Sequence, residues 1–179
     1  MSLRAASRRR RSVVPRRGRW TVRRATARDI PTLVRHRRRM WIELRRYPER
    51  DLDRHDLVYA RWVREGLATR TILAFVVEGP GRSVAGSGCL WLMPSQPRPG
   101  SLGRGRVPYI LSMYTEPAHR RRGVATRLVR EMVRWSRAHG YARVLLHASR
   151  FGRPVYERLG FEASSEMRLE LVPQPPTTG

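Results

Sequence analysis

The sequence predicts an α/β protein with a mixed central β-sheet flanked by helices, in the element order β-α-α-β-β-β-α-β-α-β. Three observations indicate this class. Segments rich in β-branched and aromatic residues alternate with segments whose apolar residues recur at helical spacing. A tight turn joins two central strands, which must be antiparallel, whereas the helical connections permit parallel neighbours. The length of 179 residues and the 40% hydrophobic content are typical of one domain with a single core.

The first third of the chain has the pattern of one strand followed by two helices. Residues 20–25, WTVRRA, form a short strand segment. Thr26 with Asp29 three positions later resembles a capping box and predicts a helix start, and helical spacing continues to Leu44. After a loop, a second helical pattern runs from about residue 55 to residue 68.

The middle of the chain changes to the composition of strands. The three segments are 71–79, 83–93 and 107–115. The turn at 79–81, Gly-Pro-Gly, separates the first two segments, and a polar loop at 95–106 separates the last two. Gly86 and Gly88 indicate a weak or bulged position in the second segment.

The last part of the chain predicts two further helices and two further strands. A helix from about Gly123 to Gly140 has one apolar face, made by Val124, Ala125, Leu128, Val129, Met132 and Val133. The remaining elements are a strand at 142–148, a short helix at 152–160 with Pro154 in its first turn, and a last strand at 165–172.

The two ends of the chain have the composition of tails. Residues 1–19 are Arg-rich and without acids, which predicts a disordered tail, although a transit peptide or a true start further along would look the same. Residues 173–179 also predict a loose tail, leaving 20–172 as the domain. All 38 basic residues are arginine and the net charge is +24, so we expect non-specific contact with polyanions through the tail.

Cysteine usage and hydropathy limit where the protein acts. Cys89 has no partner for a disulfide, which favours a reducing compartment and a cytoplasmic location, and its apolar surroundings predict a buried, inert thiol. The longest wholly apolar run, 72–77, is far too short to span a membrane, and we predict no metal site and no membrane partner.

The stretch HRRRGVATRLV, residues 119–129, predicts an anion site at the start of a helix. A helix that begins near Gly123 leaves about four backbone N–H groups without partners, and its dipole adds roughly half a positive charge there. Such an end binds phosphate or pyrophosphate, and glycine lets the anion approach the backbone closely. The three consecutive arginines at 120–122 add positive charge, although they cannot all face one ligand.

Two motifs carry a resemblance to a known family. RRRGVA at 120–125 follows a strand and opens a helix, and YERLGF at 156–161 follows the next strand. With these motifs and this element order, residues 20–172 resemble the GNAT superfamily of acetyl-CoA-dependent N-acetyltransferases. The resemblance implies a GNAT-like fold, acetyl-CoA as co-substrate, and direct attack by a small-molecule or peptide amine in a ternary complex. It also implies a possible homodimer through pairing of the last strand.

The resemblance implies cofactor-binding roles for a set of positions, which are Met113, Tyr114, Thr115, Arg120, Arg121, Arg122, Gly123, Val124, Ala125, Thr126 and Ser149. The backbone of 113–115 would pair with the pantetheine arm, and the N–H groups of 121–126 would hold the pyrophosphate. Arg120 either braces the loop or contacts phosphate. Ser149 stands where many relatives have asparagine, and either caps the next helix or holds a water. A bulge in the strand would let the N–H of Tyr114 or Met113 polarise the thioester.

The resemblance also implies that Tyr156 is the general acid that protonates the departing thiolate. The alternative is a tyrosine that only packs its ring against the sheet. The general base stays open among Glu116, His147, His119 and a water relay. Metal ions have no predicted role.

A cluster of acids lies where the first two helices of the family close over the acceptor, and consists of Glu43, Glu49, Asp51, Asp53 and Asp56. Such an anionic rim would attract a cationic amine. Alternatively, the acids only offset the arginines beside them. Trp41, Tyr47, Tyr59 and Trp62 lie in the same region and are either core residues or acceptor contacts.

Two other functions compete with an acetyltransferase. A nucleic-acid-binding module would explain the arginines, but the sequence has no zinc ligand set, ribonucleoprotein aromatic motif or helix-turn-helix. A sensor that binds acyl-CoA without turnover would share every motif.

Overall fold

The computed structural model describes residues 20–44, 47–96, 105–169 and 171. Five strands form one sheet in the order β1-β2-β3-β4-β5. They are β1 (Thr21–Arg24), β2 (Ile72–Glu78), β3 (Val84–Pro94), β4 (Arg106–Thr115) and β5 (Leu145–Leu146). Neighbours from β1 to β4 are antiparallel, and β5 is parallel to β4. The helices are α1 (Ile30–Glu43), α2 (Glu49–Ala68), α3 (Val124–Ala138) and α4 (Arg153–Glu157).

The helices cover both faces of the sheet. Helices α1 and α2 pack on one face, where Leu33, Val63 and Cys89 belong to the same core cluster. Helix α3 packs on the other face, with Leu128 and Met132 against the sheet. The central strands therefore have both faces covered by helices, which explains why nearly every residue of β2 is apolar. The mixed sheet between helices confirms the predicted fold class.

The entry into α1 follows the predicted capping pattern. The backbone N–H of Thr26 donates to Asp29 Oδ2 at 2.8 Å, and one 3-10 turn (Ala27–Asp29) leads into the helix. The guanidinium of Arg23 donates to both carboxylate oxygens of Asp29, each at 2.9 Å. This bidentate pair lowers the pKa of Asp29 to about 2. The start of α1 is thereby fixed to β1.

Two predicted boundaries are wrong. Helix α2 begins at Glu49 rather than near His55, because Pro48 precedes it and Glu49 and Asp51 suit the positive end of the helix dipole. Strand β5 has two residues, Leu145 and Leu146, instead of the whole segment 142–148, because pairing with β4 stops there.

The predicted last strand does not form in the described part of 165–172. Residues 165–169 and 171 have no strand structure. The side chains of Met167 and Leu169 are 94% and 81% exposed, so their period-two pattern has no sheet face to cover. With only two paired residues in β5, the sheet edge offers few backbone groups for a sixth strand. The dimer expected through this strand has no structural support in these residues.

Three further expectations concern parts of the chain that the structure does not describe. The tails 1–19 and 173–179 lie outside the described residues, as does most of the loop 95–106.

No helix among the described residues is long and apolar enough to cross a membrane. Nor do these residues contain a group of three or more metal-ligating side chains in a suitable arrangement.

Candidate functional site

Strand β4 carries a bulge in the middle of its pairing with β3. Ser87 pairs with Tyr114 and Cys89 pairs with Leu111, so Gly88 alone stands opposite two residues of β4. One of these two, Ser112, has a φ of 52°, in the left-handed region. This register shift is the bulge implied by the resemblance, and it bends β4 at its centre.

Beyond the bulge, one edge of β4 has no strand partner among the described residues. Pairing with β5 ends at Ile110 and Leu146. On the other edge, the N–H of Glu116 donates to the carbonyl of Ala85 at 2.9 Å. Because peptide groups alternate in direction along a strand, those of Met113 and Thr115 face the unpaired edge. The sheet therefore splits between β4 and β5 and exposes backbone donors and acceptors there.

The loop between β4 and α3 ends in a row of unpaired backbone donors. One 3-10 turn (Pro117–His119) leads to Gly123, the N-cap of α3, which has a φ of 76°. No hydrogen bond engages the N–H groups of residues 121–126 within the described chain. Arg121 also has a positive φ, of 59°, so the backbone enters the left-handed region at two residues, Arg121 and Gly123, before the helix begins. Such alternation makes a concave nest of N–H groups that suits an anion.

The three consecutive arginines have different surroundings. Arg120 donates from Nε to the carbonyl of Thr115 at 3.1 Å, and from Nη2 to both carboxylate oxygens of Glu43, at 2.6 and 2.7 Å. Its side chain therefore braces the loop against the end of α1. Arg121 and Arg122 are exposed. The carbonyl of Arg122 accepts from Arg127 Nη1 at 3.0 Å, which places a further guanidinium over the helix start.

Gly86 on β3 is a site residue that the sequence interpretation missed. A Cβ atom there would lie 2.7 Å from the carbonyl oxygen of Tyr114 and 2.7 Å from Cγ1 of Val124. Only glycine lets the first turn of α3 approach the end of β4 this closely. The GSG sequence in a strand was the available signal, because glycine in a strand often marks a close backbone approach.

Tyr156 is held in the core on the α3 side of the sheet. The residue is 8% exposed, and its ring lies 5.9 Å from that of Phe161. Burial raises the pKa of Tyr156 to about 12, so its hydroxyl stays protonated at neutral pH. A Cβ atom at Gly152 would lie 2.8 Å from the ring, which explains glycine at that position. Ser149 Oγ accepts from the N–H of Gly152 at 3.2 Å and caps this turn.

The three candidate bases differ in how free they are. Glu116 is occupied on both oxygens, because Arg39 donates to one at 2.5 Å and His36 lies 3.0 Å from the other. His119 packs its ring 5.3 Å from that of Trp20, and its buried Nδ1 has no partner among the described residues. His147 is exposed, immediately after the last paired residue of β5. Of the three, it is therefore the one most open to solvent, although both of its ring nitrogens have partners as well.

His147 is the centre of a short polar chain. Its Nδ1 lies against the hydroxyl of Tyr109, and its Nε2 lies 2.6 Å from a carboxylate oxygen of Glu166. Tyr109 pairs with Leu145 beside the split, so the chain begins at the sheet and ends at an exposed carboxylate. A hydroxyl, an imidazole and a carboxylate in series can move a proton outward.

A second polar chain, buried this time, links α1 to both sides of the bulge. His36 is fully buried, with Nδ1 2.8 Å from Ser87 Oγ and Nε2 3.0 Å from Glu116. Its ring centroid lies 5.1 Å from that of Tyr114. Burial lowers the pKa of His36 to about 4, which keeps the imidazole neutral. The sequence interpretation missed this residue, although a histidine within an apolar helix face was visible.

Each acid of the predicted rim pairs with an arginine. Arg38 binds Asp53 at 2.7 Å and Asp56 at 2.9 Å, and lies 3.6 Å from Glu49. Glu43 is bound by Arg120, and Asp51 lies 3.8 Å from Arg50. The geometry favours the alternative that these acids offset neighbouring arginines.

Cys89 is fully buried, as predicted, and is not a nucleophile in this arrangement. Its Sγ lies 3.6 Å from the hydroxyl of Tyr59, and burial raises the pKa of its thiol to about 11.

Comparison with known proteins finds acetyltransferases both in sequence and in structure. Residues 36–161 match the model of the acetyltransferase (GNAT) family. Over 109 residues the chain is 32% identical to a glucosamine 6-phosphate N-acetyltransferase from Trypanosoma brucei brucei, covering 60% of this chain and 69% of that protein. A GCN5-related N-acetyltransferase from Ralstonia eutropha is similar in structure, with a TM-score of 0.76 and 26% identity over 85% of this chain and 98% of the other.

A second solved structure, from Clostridium acetobutylicum, holds acetyl-CoA. This predicted acetyltransferase has a TM-score of 0.75 and 29% identity, over 86% of this chain and 96% of its own.

Proposed function

Because the chain belongs to the acetyltransferase (GNAT) family, we propose that it transfers an acetyl group from acetyl-CoA to a primary amine by direct attack in a ternary complex. The observation that carries this is the row of unpaired N–H groups at 121–126, placed next to the unpaired edge of β4 at its bulge. The first feature suits a pyrophosphate, and the second suits the amide groups of a pantetheine arm.

The residues present fit acetyl-CoA in both chemistry and placement. The N–H groups of 121–126 at the start of α3 would hold the pyrophosphate, and the exposed guanidiniums of Arg121 and Arg122 would add charge. The peptide groups of Met113 and Thr115 would pair with the pantetheine. Arg120 would support the pyrophosphate site by holding the loop in place, because its side chain binds Thr115 and Glu43. Ser149 acts through the turn that it caps.

The same geometry supports a proposal for the acetyl-transfer step. Of the two candidate oxyanion donors, the N–H of Met113 faces the split, whereas that of Tyr114 faces β3. The N–H of Met113 would therefore polarise the thioester carbonyl as the amine attacks the carbonyl carbon. The C–S bond then breaks, and Tyr156 gives its proton to the thiolate. The hydroxyl is protonated at neutral pH, as a proton donor must be, although the raised pKa makes it a weaker acid than a free tyrosine.

The proton of the attacking amine leaves through His147. Tyr109, beside the split, is in contact with Nδ1 of His147, and Glu166 orients the opposite nitrogen at 2.6 Å. Glu116 is a poorer base because Arg39 and His36 engage both of its oxygens, whereas the chain through His147 ends at an exposed carboxylate that can pass the proton to solvent. A rate unaffected by His147→Gln would leave the proton to a water relay.

The acceptor is an amine on a small molecule or peptide, and the relative named a glucosamine 6-phosphate N-acetyltransferase makes amino sugars the first class to test. The pairing of the rim acids with arginines predicts no general preference for basic amines.

The test is release of free thiol from acetyl-CoA across a panel of amines, with the acetylated product identified by mass spectrometry. We expect amine-dependent thiol release with one acetyl group added per thiol. Tight acetyl-CoA binding without release for any amine would instead indicate a sensor. Salt-sensitive DNA binding that survives deletion of residues 1–19 would favour a nucleic-acid-binding module.

A pair of glycine variants tests the role of the helix start. Gly123 and Gly81 have nearly the same φ, 76° and 75°. A Cβ atom at Gly81 would meet nothing within 4 Å, whereas at Gly123 it would lie 2.8 Å from Arg127 Nη1. Both alanine variants carry a similar backbone cost, of about 1 kcal/mol. Only Gly123→Ala should raise the dissociation constant for acetyl-CoA, by about tenfold, and equal affinities would count against the proposed site.

A further inference from the structure

Arg37 stands out among the arginines because it is half-buried between aromatic rings. Its guanidinium carbon lies 4.4 Å from the ring centroid of Tyr59 on α2 and 5.4 Å from that of Trp41 on α1. Burial lowers the pKa of Arg37, although a guanidinium remains charged at neutral pH. The side chain is therefore a partly desolvated cation on the α1–α2 face of the sheet.

This cation lacks the partner that comparable arginines have. Arg23 and Arg38 each bind two carboxylates. Within the described residues, Arg37 makes no hydrogen bond or ion pair with a carboxylate, and its contacts are the two aromatic faces. Asp56 attracts it through space, but an oxygen of that carboxylate already accepts from Arg38 at 2.9 Å. No hydrogen-bond acceptor among the described residues therefore engages the N–H donors of Arg37.

Arg37 also lies close to the bulge in β4. The hydroxyl of Tyr59, over whose ring the guanidinium sits, is 3.6 Å from Cys89, which pairs with Leu111 directly before the bulge. Ser112, the bulge residue with positive φ, interacts with the same hydroxyl and lowers its pKa against the larger effect of burial. One tyrosine therefore connects the guanidinium to the strand segment where acetyl transfer is proposed.

We propose that Arg37 binds an anionic group, phosphate or carboxylate, on the amine acceptor. A planar guanidinium with free donors matches the oxygens of such a group in a two-pronged pair. The aromatic rings that flank Arg37 exclude water and strengthen the interaction. The acceptor is then an amine with an acid group on the side away from the reacting nitrogen. This specificity rests on the proposed acetyltransferase function.

The experiment compares matched acceptors with and without the anionic group. In one arm, glucosamine 6-phosphate is compared with glucosamine. In the other arm, an ω-amino acid, whose carboxylate lies away from its amine, is compared with its amide, so that the two arms separate phosphate from carboxylate. For at least one arm, kcat/KM of the wild-type protein should be about 10- to 100-fold higher for the anionic member, as a hydrogen bond to a charged group allows. Arg37→Gln should abolish this preference and leave the neutral member within about threefold of its wild-type value.

Arg64→Gln is the control for the loss of one positive charge. Arg64 is exposed on α2, the same helix that carries Tyr59, and we expect the wild-type preference to persist in this variant. Equal rates for charged and neutral acceptors with the wild-type protein would overturn the role of Arg37 but leave the acetyltransferase function intact. No transfer to any amine would refute the function and, with it, this specificity.

A competition assay covers the case in which Arg37→Gln fails to fold. Glucose 6-phosphate has the anion but no amine, and it should inhibit acetylation of a neutral amine by the wild-type protein, whereas glucose should not. For a carboxylate-specific site, an N-acetyl amino acid should inhibit where its amide does not. Absence of inhibition by both anions would contradict the proposal.

Discussion

Replacing Tyr156 by phenylalanine removes a single hydroxyl from the proposed site and leaves the packing of the core unchanged. The ring is 8% exposed and packs against Phe161, and phenylalanine fills the same volume. No hydrogen bond to the hydroxyl is present within the described chain. The substitution therefore leaves no buried partner unsatisfied, and the free energy of unfolding should change by less than about 1 kcal/mol.

The rate should respond much more strongly than the stability. Burial raises the pKa of Tyr156 from 10 to about 12. Each pKa unit corresponds to about 1.4 kcal/mol, so the neutral hydroxyl is favoured by about 3 kcal/mol relative to its state in water. It stays protonated up to at least pH 9 and can act as an acid throughout the neutral range. Loss of general acid catalysis costs about 10²- to 10⁴-fold, and we expect kcat to fall at least about tenfold.

The assay is thiol release from acetyl-CoA at a saturating amine concentration, with the acetyl-CoA dissociation constant measured separately. Tyr156→Phe should keep the dissociation constant within about twofold of wild type. Tyr141→Phe serves as the control, because this tyrosine packs against Trp135 near the opposite end of α3 and should leave kcat unchanged. An unchanged kcat in Tyr156→Phe would refute the acid role, and the role of Tyr156 would then be to pack its ring in the core.

Three further predictions concern residues that support the site. The folded-state pKa of His36 is about 4 against 6.5 for a free imidazole, so its stability contribution is present above pH 6.5 and lost as the pH falls towards 4, by about 3 kcal/mol. Urea unfolding at pH 7 and pH 4.5 should show a smaller pH dependence in His36→Asn, and equal dependence would contradict this. Gly152→Ala should push the ring of Tyr156 aside and lower kcat at least about tenfold, with acetyl-CoA affinity unchanged by calorimetry. Gly86→Ala should force the end of β4 away from α3 and weaken acetyl-CoA binding at least about tenfold in the same titration, and unchanged affinity would show that this contact is dispensable.

The sequence predicted those parts of the fold that depend on local chemistry. Thr26 and Asp29 mark the start of the first helical segment, and Gly123 marks the start of α3, because capping and positive φ restrict residue choice strongly. The α/β class follows from the alternation along the chain between segments with helical spacing of apolar residues and segments with the composition of strands. The predicted strand at 165–172 failed for the opposite reason, since apolar alternation shows that a strand is possible and not that a sheet edge is available.

The candidate site was predictable where residues are consecutive and hidden where they are distant in sequence. Residues 113–115 and 121–126 lie on either side of one loop, so a motif could place them together. His36 and Glu116 are 80 positions apart, and their contact depends on how α1 packs on the sheet. The same packing places Arg37 over Tyr59, which no motif records.

A crystal structure with CoA and an acceptor amine bound together tests the central claim most directly. We predict pyrophosphate oxygens within hydrogen-bond distance of the N–H groups of 121–126, and pantetheine amides paired with Met113 and Thr115. The sulfur should lie within reach of the Tyr156 hydroxyl, with the amine on the α1–α2 face. CoA bound away from the start of α3, or an amine that approaches from the α3 face, would contradict the account.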